Sequence, residues 1–366
     1  MILIVLSDID SSPIHLAIIQ RLKILEQEFH VLIIGSDNLK IIDELLRIGV
    51  DYSLIQKNSK PNLVSITLAL IAKFLQQRPS VVYSSGQFAT LFAIPISYFF
   101  GIKYRIFTRH HSNLHHKPDM KVWLALDKLC NHFASQIVVV SETLYHFLIK
   151  TEKVKQKKLF LINNGIDLNR FQVKRNFSRF EERNESSLND PIKFGVVARL
   201  TEWKGVAYTA EAFVNFCNVY PNSHLTIVGE ASDAFSEISD ALSFLPESNY
   251  KFISHCEDVP EFFSGLDLFI HVPIGSEEET FGLVYLEALA TGIPCIFTLS
   301  GVMHDFDNPV DYCEIVPFRD SSAILDAMLR FTVPPILVKS QIPEQLLEYY
   351  SLERMSAAYS NLFTAI

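Results

Sequence analysis

Short apolar runs alternate with longer amphipathic stretches along almost the whole chain, and this alternation restricts the fold more than any other feature. Because parallel strands need long crossover connections, strands that alternate with helices predict a parallel, doubly wound α/β sheet. Helical spacing is clear at Ile14–Glu28 and Asp119–Ala134. In the first half we predict strands at Ile2–Leu6, His30–Ile34, Tyr52–Ile55, Val81–Tyr83, Arg105–Thr108, Ile137–Val140 and Leu159–Ile162.

The alternation stops between Val173 and Asp190, where polar and charged residues predominate, and it restarts at Lys193 with FGVVA, LTIVG, YKFIS, LFIHV and PCIFT. We therefore predict a Rossmann-like domain over 1–172, a linker over 173–190 and a second Rossmann-like domain over 191–345. The amphipathic tail predicts a final helix over 346–366. In this arrangement ligands bind at the carboxyl ends of the strands.

Composition supports two cytoplasmic domains. A chain of 366 residues with 49% hydrophobic residues is long for one core and sufficient for two. The five cysteines are scattered without a CxxC pair, which fits a reducing, cytoplasmic setting and argues against a disulfide frame. The chain starts with a strand and lacks the features of a signal peptide. The apolar run Phe88–Ile102 is too short to span a bilayer, so we predict a buried helix.

Charge is uneven along the chain. Residues 1–172 hold 20 Lys and Arg against 13 Asp and Glu, whereas the remainder holds 12 against 28. A basic first half indicates an anionic partner, either a phosphorylated acceptor or a membrane surface, with an uneven solvated surface as the alternative. The net charge of −9 and the lack of a binding motif argue against nucleic acid.

The segment Ser276–Pro294 carries the strongest functional signal. Three acids precede a Phe-Gly pair, and an amphipathic helix with Glu287 follows and ends at Gly292. The backbone N–H groups around Thr280–Leu283 would point outward with the positive end of the helix dipole behind them, which suits a phosphate.

This pattern, Glu-x-Phe-Gly followed by Glu-Ala-Leu-Ala-x-Gly-x-Pro, resembles the signature of the retaining glycosyltransferases of family 4, which have the GT-B fold. The resemblance implies two Rossmann-like domains that face each other across a cleft, with a C-terminal helix that crosses back to the first domain. It also implies that Glu279 binds hydroxyls of the transferred sugar and Glu287 the ribose, while Phe281, Gly282 and Leu283 line the donor site.

A second motif would supply cations. GVVARLTEWKG resembles the family's Gly-Arg-Leu-x-x-x-Lys-Gly element, in which Arg199 and Lys204 would hold the diphosphate; Ala198 stands where the family usually has Gly. Fixed cations stabilise the charge that develops on the leaving diphosphate. Because acids beside a diphosphate would repel it, the cationic and acidic motifs only make sense together.

The tract RHHSNLHH follows a predicted strand. By resemblance to the family's Thr-x-His, His110 would face the donor sugar, with His111 in reserve. A metal is the alternative for four histidines, but no carboxylate or cysteine within the loop completes a ligand set, so we predict no metal. We expect His115, His116 and Lys117 to form a basic rim toward the acceptor.

Other positions match the family less closely. Gly229 and Glu230 occupy the place of a Gly-x-Gly loop near the nucleotide, and Asp258 and Val259 lie near the base by resemblance. The family's N-terminal Gly-Gly is replaced in the loop DIDSSPIH, so the acceptor side is not readable.

Together these features predict a metal-independent glycosyltransferase that moves a sugar from a nucleotide-sugar donor to a glycan, lipid-linked or phosphorylated acceptor and needs no cofactor. The setting would be cell-surface polysaccharide or glycolipid synthesis, with the protein cytoplasmic and in peripheral contact with the inner face of the membrane. Two alternatives stay open: a sugar-nucleotide epimerase of the same fold, and a catalytically idle binder of nucleotide-sugars or glycans.

Overall fold

A computed structural model describes residues 1–7, 12–37, 39–56, 63–171, 191–306, 312–332 and 349–365. The chain divides into two compact units, the first formed by Met1–Ile166 with Tyr350–Ile366 and the second by Asp167–Tyr349. The first unit thus leaves off at Ile166, whereas the sequence suggested 172. The predicted linker at 173–190 and most of the loop before Ser12 lie outside the described residues.

The first unit contains the seven strands that the apolar runs predict. They are β1 (Ile2–Ser7), β2 (Phe29–Gly35), β3 (Tyr52–Gln56), β4 (Val81–Ser85), β5 (Tyr104–Arg109), β6 (Gln136–Val139) and β7 (Leu159–Leu161). The helices between them are α1 (Pro13–Ile24), α2 (Lys40–Arg47), α3 (Leu63–Gln77), α4 (Gln87–Phe99), α5 (Lys121–Phe133) and α6 (Glu142–Lys150). All strands pair in parallel in the order β3-β2-β1-β4-β5-β6-β7.

The second unit repeats this architecture. Its strands are β8 (Lys193–Val197), β9 (His224–Val228), β10 (Tyr250–Ile253), β11 (Leu268–His271), β12 (Cys295–Thr298) and β13 (Cys313–Val316). Its helices are α7 (Leu168–Phe171), α8 (Val206–Cys217), α9 (Phe235–Leu242), α10 (Val259–Ser264), α11 (Leu283–Thr291) and α12 (Ser321–Thr332). The parallel sheet has the order β10-β9-β8-β11-β12-β13. Strand β13, which is short and carries Glu314, was not predicted.

Each sheet has one point where the strand order reverses, between β1 and β4 in the first unit and between β8 and β11 in the second. The connections leave in opposite directions there, so a crevice opens outside the carboxyl ends of the two strands. The loops after β8 and β11 carry the two motifs singled out in the sequence. The fold therefore positions both motifs at the place where open α/β sheets bind ligands.

A last helix, α13 (Leu352–Thr364), belongs to the first unit and packs against α1. The Tyr359 hydroxyl lies 2.8 Å from Thr108 Oγ1 on β5. Ser351 caps the helix and forms a parallel bridge with Ile166. The helix starts later than the predicted 346, and residues 346–348 lie outside the described residues.

The apolar run around Pro95 is helix α4, and its buried face, with Ala89, Ala93 and Ile94, packs on the sheet as predicted. Across the described parts of the chain, no helix is both long and apolar enough to cross a bilayer. Three aromatic residues at the end of this helix, Tyr98, Phe99 and Phe100, are exposed.

Candidate active site

The loops that follow β8 and β11 bring a cation and an acid from the two motifs into contact. Lys204 ends a short 3-10 turn, and its ammonium group forms an ion pair with Glu279 Oε2. Gly205 makes this approach possible: its φ is +69°, and a Cβ there would lie 2.0 Å from the Val272 carbonyl oxygen. The backbone after β8 thus presses directly on the backbone after β11, which only glycine permits.

Glu279 is buried, with 8% of its surface exposed. Besides Lys204, its Oε2 lies 3.2 Å from His271 Nε2, on the last residue of β11. Burial alone would raise the pKa of Glu279, but the hydrogen bond from His271 and the charge of Lys204 outweigh it and lower the pKa to about 2. The carboxylate is therefore ionised over the whole physiological pH range.

The pocket around Glu279 is shaped by small residues and one ring. Gly282 has φ +78°, and a Cβ there would lie 2.6 Å from the Tyr285 ring and 2.9 Å from Glu279 Cγ. A Cβ at Gly301 would lie 3.0 Å from Glu279 Cγ. The Tyr285 hydroxyl lies 2.7 Å from Ser300 Oγ, which fixes the ring. The carboxylate is consequently held in one position by its surroundings.

Arg199 lies two residues beyond β8, and its side chain is exposed. Within the described residues its guanidinium has no hydrogen-bond or ion-pair partner. Lys204 Nζ, by contrast, lies 4.3 Å from the centre of the Trp203 ring in addition to its pair with Glu279. The loop after β8 thus presents one free cation and one that is held in place.

The loop after β9 runs beside Arg199, because the Leu200 amide donates to the Glu230 carbonyl at 3.0 Å. Gly229 directly precedes Glu230, and the Glu230 side chain is exposed. Asp258 caps α10 by accepting from the Glu261 amide at 3.0 Å, and Val259 is the first residue of that helix. Asp258 therefore has a structural role that the sequence did not suggest.

Helix α11 begins at Leu283, directly after Phe281 and Gly282, and ends at Thr291 as the Gly-x-Pro ending predicts. Glu287 lies on it and is partly buried. Burial raises the pKa of Glu287 to about 7, although the charge of Arg170 on α7 opposes the shift. Near neutral pH the carboxyl group is thus poised between its acid and its charged form.

In the first unit, His110 follows β5; the residue as a whole is exposed, but the Nε2 side of its ring faces the buried Ser85. Its Nε2 lies 3.2 Å from Ser85 Oγ at the end of β4. Loss of solvation and the nearby His111 lower the pKa of His110, so the ring is neutral at pH 7.

No carboxylate within the loop was expected to complete the histidine tract, but one from outside the loop does, because Asp127 on α5 joins it. Asp127 Oδ2 lies 3.1 Å from His111 Nε2 and 2.6 Å from His115 Nδ1. The three ligand atoms are close enough to one another to hold a metal ion. However, Arg109 Nη2 also lies 2.8 Å from Asp127 Oδ2 and already neutralises this carboxylate. We interpret the cluster as a buried ion network.

The expected basic rim is also wrong for His115, which is buried. His116 is partly buried, and its Nε2 lies 3.3 Å from Glu152 Oε1. Glu152 in turn pairs with Arg109 at 2.9 Å and accepts from Asn131 Nδ2 at 2.6 Å. Only Lys117 of the predicted rim is fully exposed.

Sequence reasoning missed His271, Asp127 and Glu152. Asp127 and Glu152 lie on or beside helices, where an acid resembles any solvated residue. His271 did leave a signal, since a histidine that ends the apolar strand LFIHV is unusual for a buried position.

Comparison with known proteins bears on the family and the fold. The family model for glycosyl transferases group 1 matches residues 178–331, and the model for glycosyltransferase family 4 matches residues 17–170. Among solved structures, the Anabaena protein HepE in complex with UDP and glucose superimposes with a TM-score of 0.78 at 18% identity, over the whole of both chains. At this identity the likeness shows the fold alone.

The curated relatives match only part of this chain and part of their own length. The capsular polysaccharide biosynthesis glycosyltransferase CapM of Staphylococcus aureus is 27% identical over 63% of this chain and 61% of its own. The Escherichia coli UDP-Gal:alpha-D-GlcNAc-diphosphoundecaprenol alpha-1,3-galactosyltransferase is 27% identical over 52% of this chain and 49% of its own. The chain thus spans about half to three fifths of the length of these relatives.

Two Rossmann-like units, each built on one parallel sheet, define the class of fold as GT-B. Since the two family models match 17–170 and 178–331, the chain belongs to the glycosyl transferases group 1.

Proposed function

We propose that this protein transfers a sugar from a nucleotide-sugar donor to a hydroxyl acceptor, with retention at the anomeric carbon. The donor binds to the second unit: Arg199 and Lys204 hold the diphosphate, Glu287 the ribose and Glu279 the sugar. The amides around Gly282 face the phosphates, and the loops at Gly229–Glu230 and Asp258–Val259 lie toward the base. A role of His110 toward the donor sugar stays a prediction.

One observation carries this proposal: Lys204 and Glu279, which lie 75 positions apart in sequence, touch beside the point where the strand order reverses. An acid that reads sugar hydroxyls would repel a diphosphate unless a cation lay beside it. An ammonium group has three donors, so Lys204 can face a phosphate while it keeps its pair with Glu279. The exposed Arg199 adds a second charge that has no partner in the described protein.

The chemistry follows from position and charge. No side chain is proposed as a covalent nucleophile. The acceptor oxygen forms a bond to the anomeric carbon as the bond between that carbon and the phosphate oxygen breaks, and the departing phosphate takes the acceptor's proton on the same face. Fixed cations stabilise the charge that grows on the diphosphate in this step. Glu279, held rigidly, orients the sugar through its hydroxyls, and hydrogen bonds to a carboxylate are about twice as strong as neutral ones.

For the acceptor we propose a glycan or a lipid-linked sugar. The names of the relatives support this class, since they include capsular polysaccharide biosynthesis, a diphosphoundecaprenol-linked acceptor and an alpha-monoglucosyldiacylglycerol synthase of Acholeplasma laidlawii. A lipid-linked acceptor is anchored in a membrane, so the protein must reach the membrane surface to act on it.

A surface of the first unit suits an anionic bilayer. Tyr98, Phe99 and Phe133 form an aromatic patch, with ring centres 4.6–5.8 Å apart, and Phe99 is 76% exposed. His132 contacts Phe133 and leads into a basic groove. The groove is lined by Lys128, Asn131, His132, Glu152, Lys153, Val154, Lys155 and Lys158. Aromatic rings at the interface level and lysines at the headgroups are the two signals that surface binding requires.

Vesicle flotation tests this contact. We expect binding to vesicles of phosphatidylcholine with phosphatidylglycerol, weaker binding at high salt, and no binding to phosphatidylcholine alone. Phe99→Ser should reduce binding, whereas Phe244→Ser, at an 83% exposed position of the second unit, should not. Equal binding by both variants would contradict the assignment.

The donor site is tested by thermal unfolding with uridine, guanosine and adenosine diphosphates. A ligand at a hundred times its Kd adds about 2.7 kcal/mol of stability, which identifies the base. The matching nucleotide-sugar is then incubated with and without membrane extract, and the products are analysed. Transfer to an acceptor supports the proposal. Epimerisation without acceptor, or binding with neither transfer nor donor hydrolysis, would replace it with one of the two alternatives.

A further inference from the structure

His271 holds the Glu279 carboxylate from a side that a ligand cannot reach. The ring is 2% exposed, and its Nε2 lies 3.2 Å from Glu279 Oε2. The Tyr285 ring packs edge-on against it with centres 4.7 Å apart. These contacts fix both the place and the orientation of the imidazole.

The other ring nitrogen defines the protonation state. His271 Nδ1 is buried and has no hydrogen-bond partner in the described part of the chain. A protonated Nδ1 would leave a buried N–H unpaired, which costs more than a bare lone pair. The ring is therefore neutral and carries its proton on Nε2, from which it donates to Glu279. Burial, the largest influence, also lowers the pKa of His271.

The two oxygens of Glu279 have different surroundings. Oε2 receives both Lys204 and His271, whereas Oε1 has no protein partner among the described residues. Oε1 is thus the oxygen left for a ligand hydroxyl. Lys204 is also the residue assigned to the diphosphate, so a bound donor shares this cation between Glu279 and the phosphates. The Nε2–H group of His271 is neutral, so a phosphate does not compete with Glu279 for this hydrogen bond.

We infer that His271 is a positioning residue that acts through Glu279: it holds Oε2 while Lys204 engages the diphosphate, and so keeps Oε1 aimed at the donor sugar. The inference rests on the proposed function and adds a residue that specifies the sugar half of the donor. It predicts that loss of His271 weakens binding of the nucleotide-sugar but not of the nucleoside diphosphate. The diphosphate is bound through Lys204, whereas the sugar is bound through Glu279.

The test uses two variants. His271→Leu removes the hydrogen-bond donor to Glu279, and His271→Gln offers an amide nitrogen that can replace Nε2. UDP and UDP-glucose serve as probes if uridine is the base that the unfolding panel selects, and the corresponding pair is used otherwise. For His271→Leu we expect about a tenfold loss of nucleotide-sugar affinity, as one hydrogen bond to a charged group disappears, with unchanged affinity for the diphosphate. His271→Gln should restore most of the loss.

Three results would overturn the inference: unchanged nucleotide-sugar affinity in His271→Leu, an equal loss for both probes, or a Gln variant as weak as the Leu variant. A double-mutant cycle adds a further readout, since His271→Leu should have no further effect once Glu279 is replaced by Ala, which leaves no acceptor for the histidine. If the Leu variant does not fold, His271→Asn, which lacks a donor at the Nε2 position, takes its place. Failure of the wild-type protein to bind any diphosphate would instead refute the proposed function.

Discussion

The carboxyl ends of the two sheets use charged residues in opposite ways. Around β8 and β11 a single buried acid, Glu279, lies beside Lys204, while Arg199 is left exposed without a described partner. At the end of β5, the Arg109 side chain is only 3% exposed and pairs with Asp127 and Glu152, which are 7% and 0% exposed. The second unit thus keeps charge available for a ligand at this edge of its sheet, whereas at the end of β5 the first unit pairs its charges internally. A cluster of charged residues at a sheet edge is therefore not by itself a binding site.

The largest test of this contrast is Arg109→Leu. It would leave Asp127 and Glu152 as buried acids without a cation, and removing one partner of a buried pair costs about 3–5 kcal/mol of unfolding free energy. Urea unfolding measures the loss. The matched control is Arg330→Leu: Arg330 is 56% exposed and pairs with Glu314, so about 0–1 kcal/mol is expected. Equal losses would mean that the buried network does not differ from a surface pair.

Lys204→Met examines the second unit in the same way, with activity as the readout. Since it removes a cation that stabilises the leaving diphosphate, we expect a loss of about 10²–10³ in the transfer rate, with a folded protein at the assay temperature. Lys193→Met, which changes an exposed lysine at the amino-terminal end of β8, should retain the wild-type rate. A Lys204→Met enzyme with near wild-type activity would show that this edge of the sheet does not hold the diphosphate.

Glu287 makes the stability of the second unit depend on pH. Its pKa is about 7 in the folded protein against 4.5 in the unfolded chain, so the folded state binds the proton more tightly. Stability from this group is complete below pH 4.5 and is lost as the pH rises toward 7. Glu287→Gln should accordingly gain about 3 kcal/mol relative to wild type at pH 8 and nothing at pH 4. Parallel stability curves for the two proteins would exclude the shift.

The smallest expected effect comes from two glycine variants, which separate the cost of backbone strain from the cost of a contact with Glu279. Gly282→Ala and Gly101→Ala both place a side chain at positive φ, +78° and +70°, which costs about 1 kcal/mol in each case. Only at position 282 would the new Cβ meet Glu279, since nothing lies within 4 Å at position 101. Both variants should melt at lower temperature, but only Gly282→Ala should lose nucleotide-sugar affinity.

Much of the fold was readable because long-range order follows from local pattern in α/β proteins. Buried parallel strands such as β1 are continuous apolar runs, and such runs predicted twelve of the thirteen strands that the described residues contain. Strand β13 escaped because Cys313–Val316 is short and carries an acid. The start of α13 was placed too early because amphipathic spacing does not mark a helix boundary, whereas Ser351 as its N-cap does.

The candidate site was readable only where chemistry is concentrated in a motif. Lys204 and Glu279 could be proposed from two short segments, and they do touch. His271 and Asp127 could not, because their roles depend on which elements the fold brings together. The histidine tract shows the limit most clearly: its residues looked like a solvated rim, yet His115 is buried against an acid from a later helix.

The strand pairing between Ile166 and Ser351 has a consequence for how the chain is made. The Ile166 amide donates to the Tyr350 carbonyl at 2.8 Å, and the Leu352 amide donates to the Ile166 carbonyl at 3.3 Å. Residues 167–349 therefore form a cassette, a segment inserted into the first unit whose two ends lie side by side. A cassette with adjoining ends can be exchanged between relatives without rebuilding its host. It also means that the amino-terminal sheet leaves the ribosome without the helix that completes it. Its last support arrives only after the second unit has been synthesised.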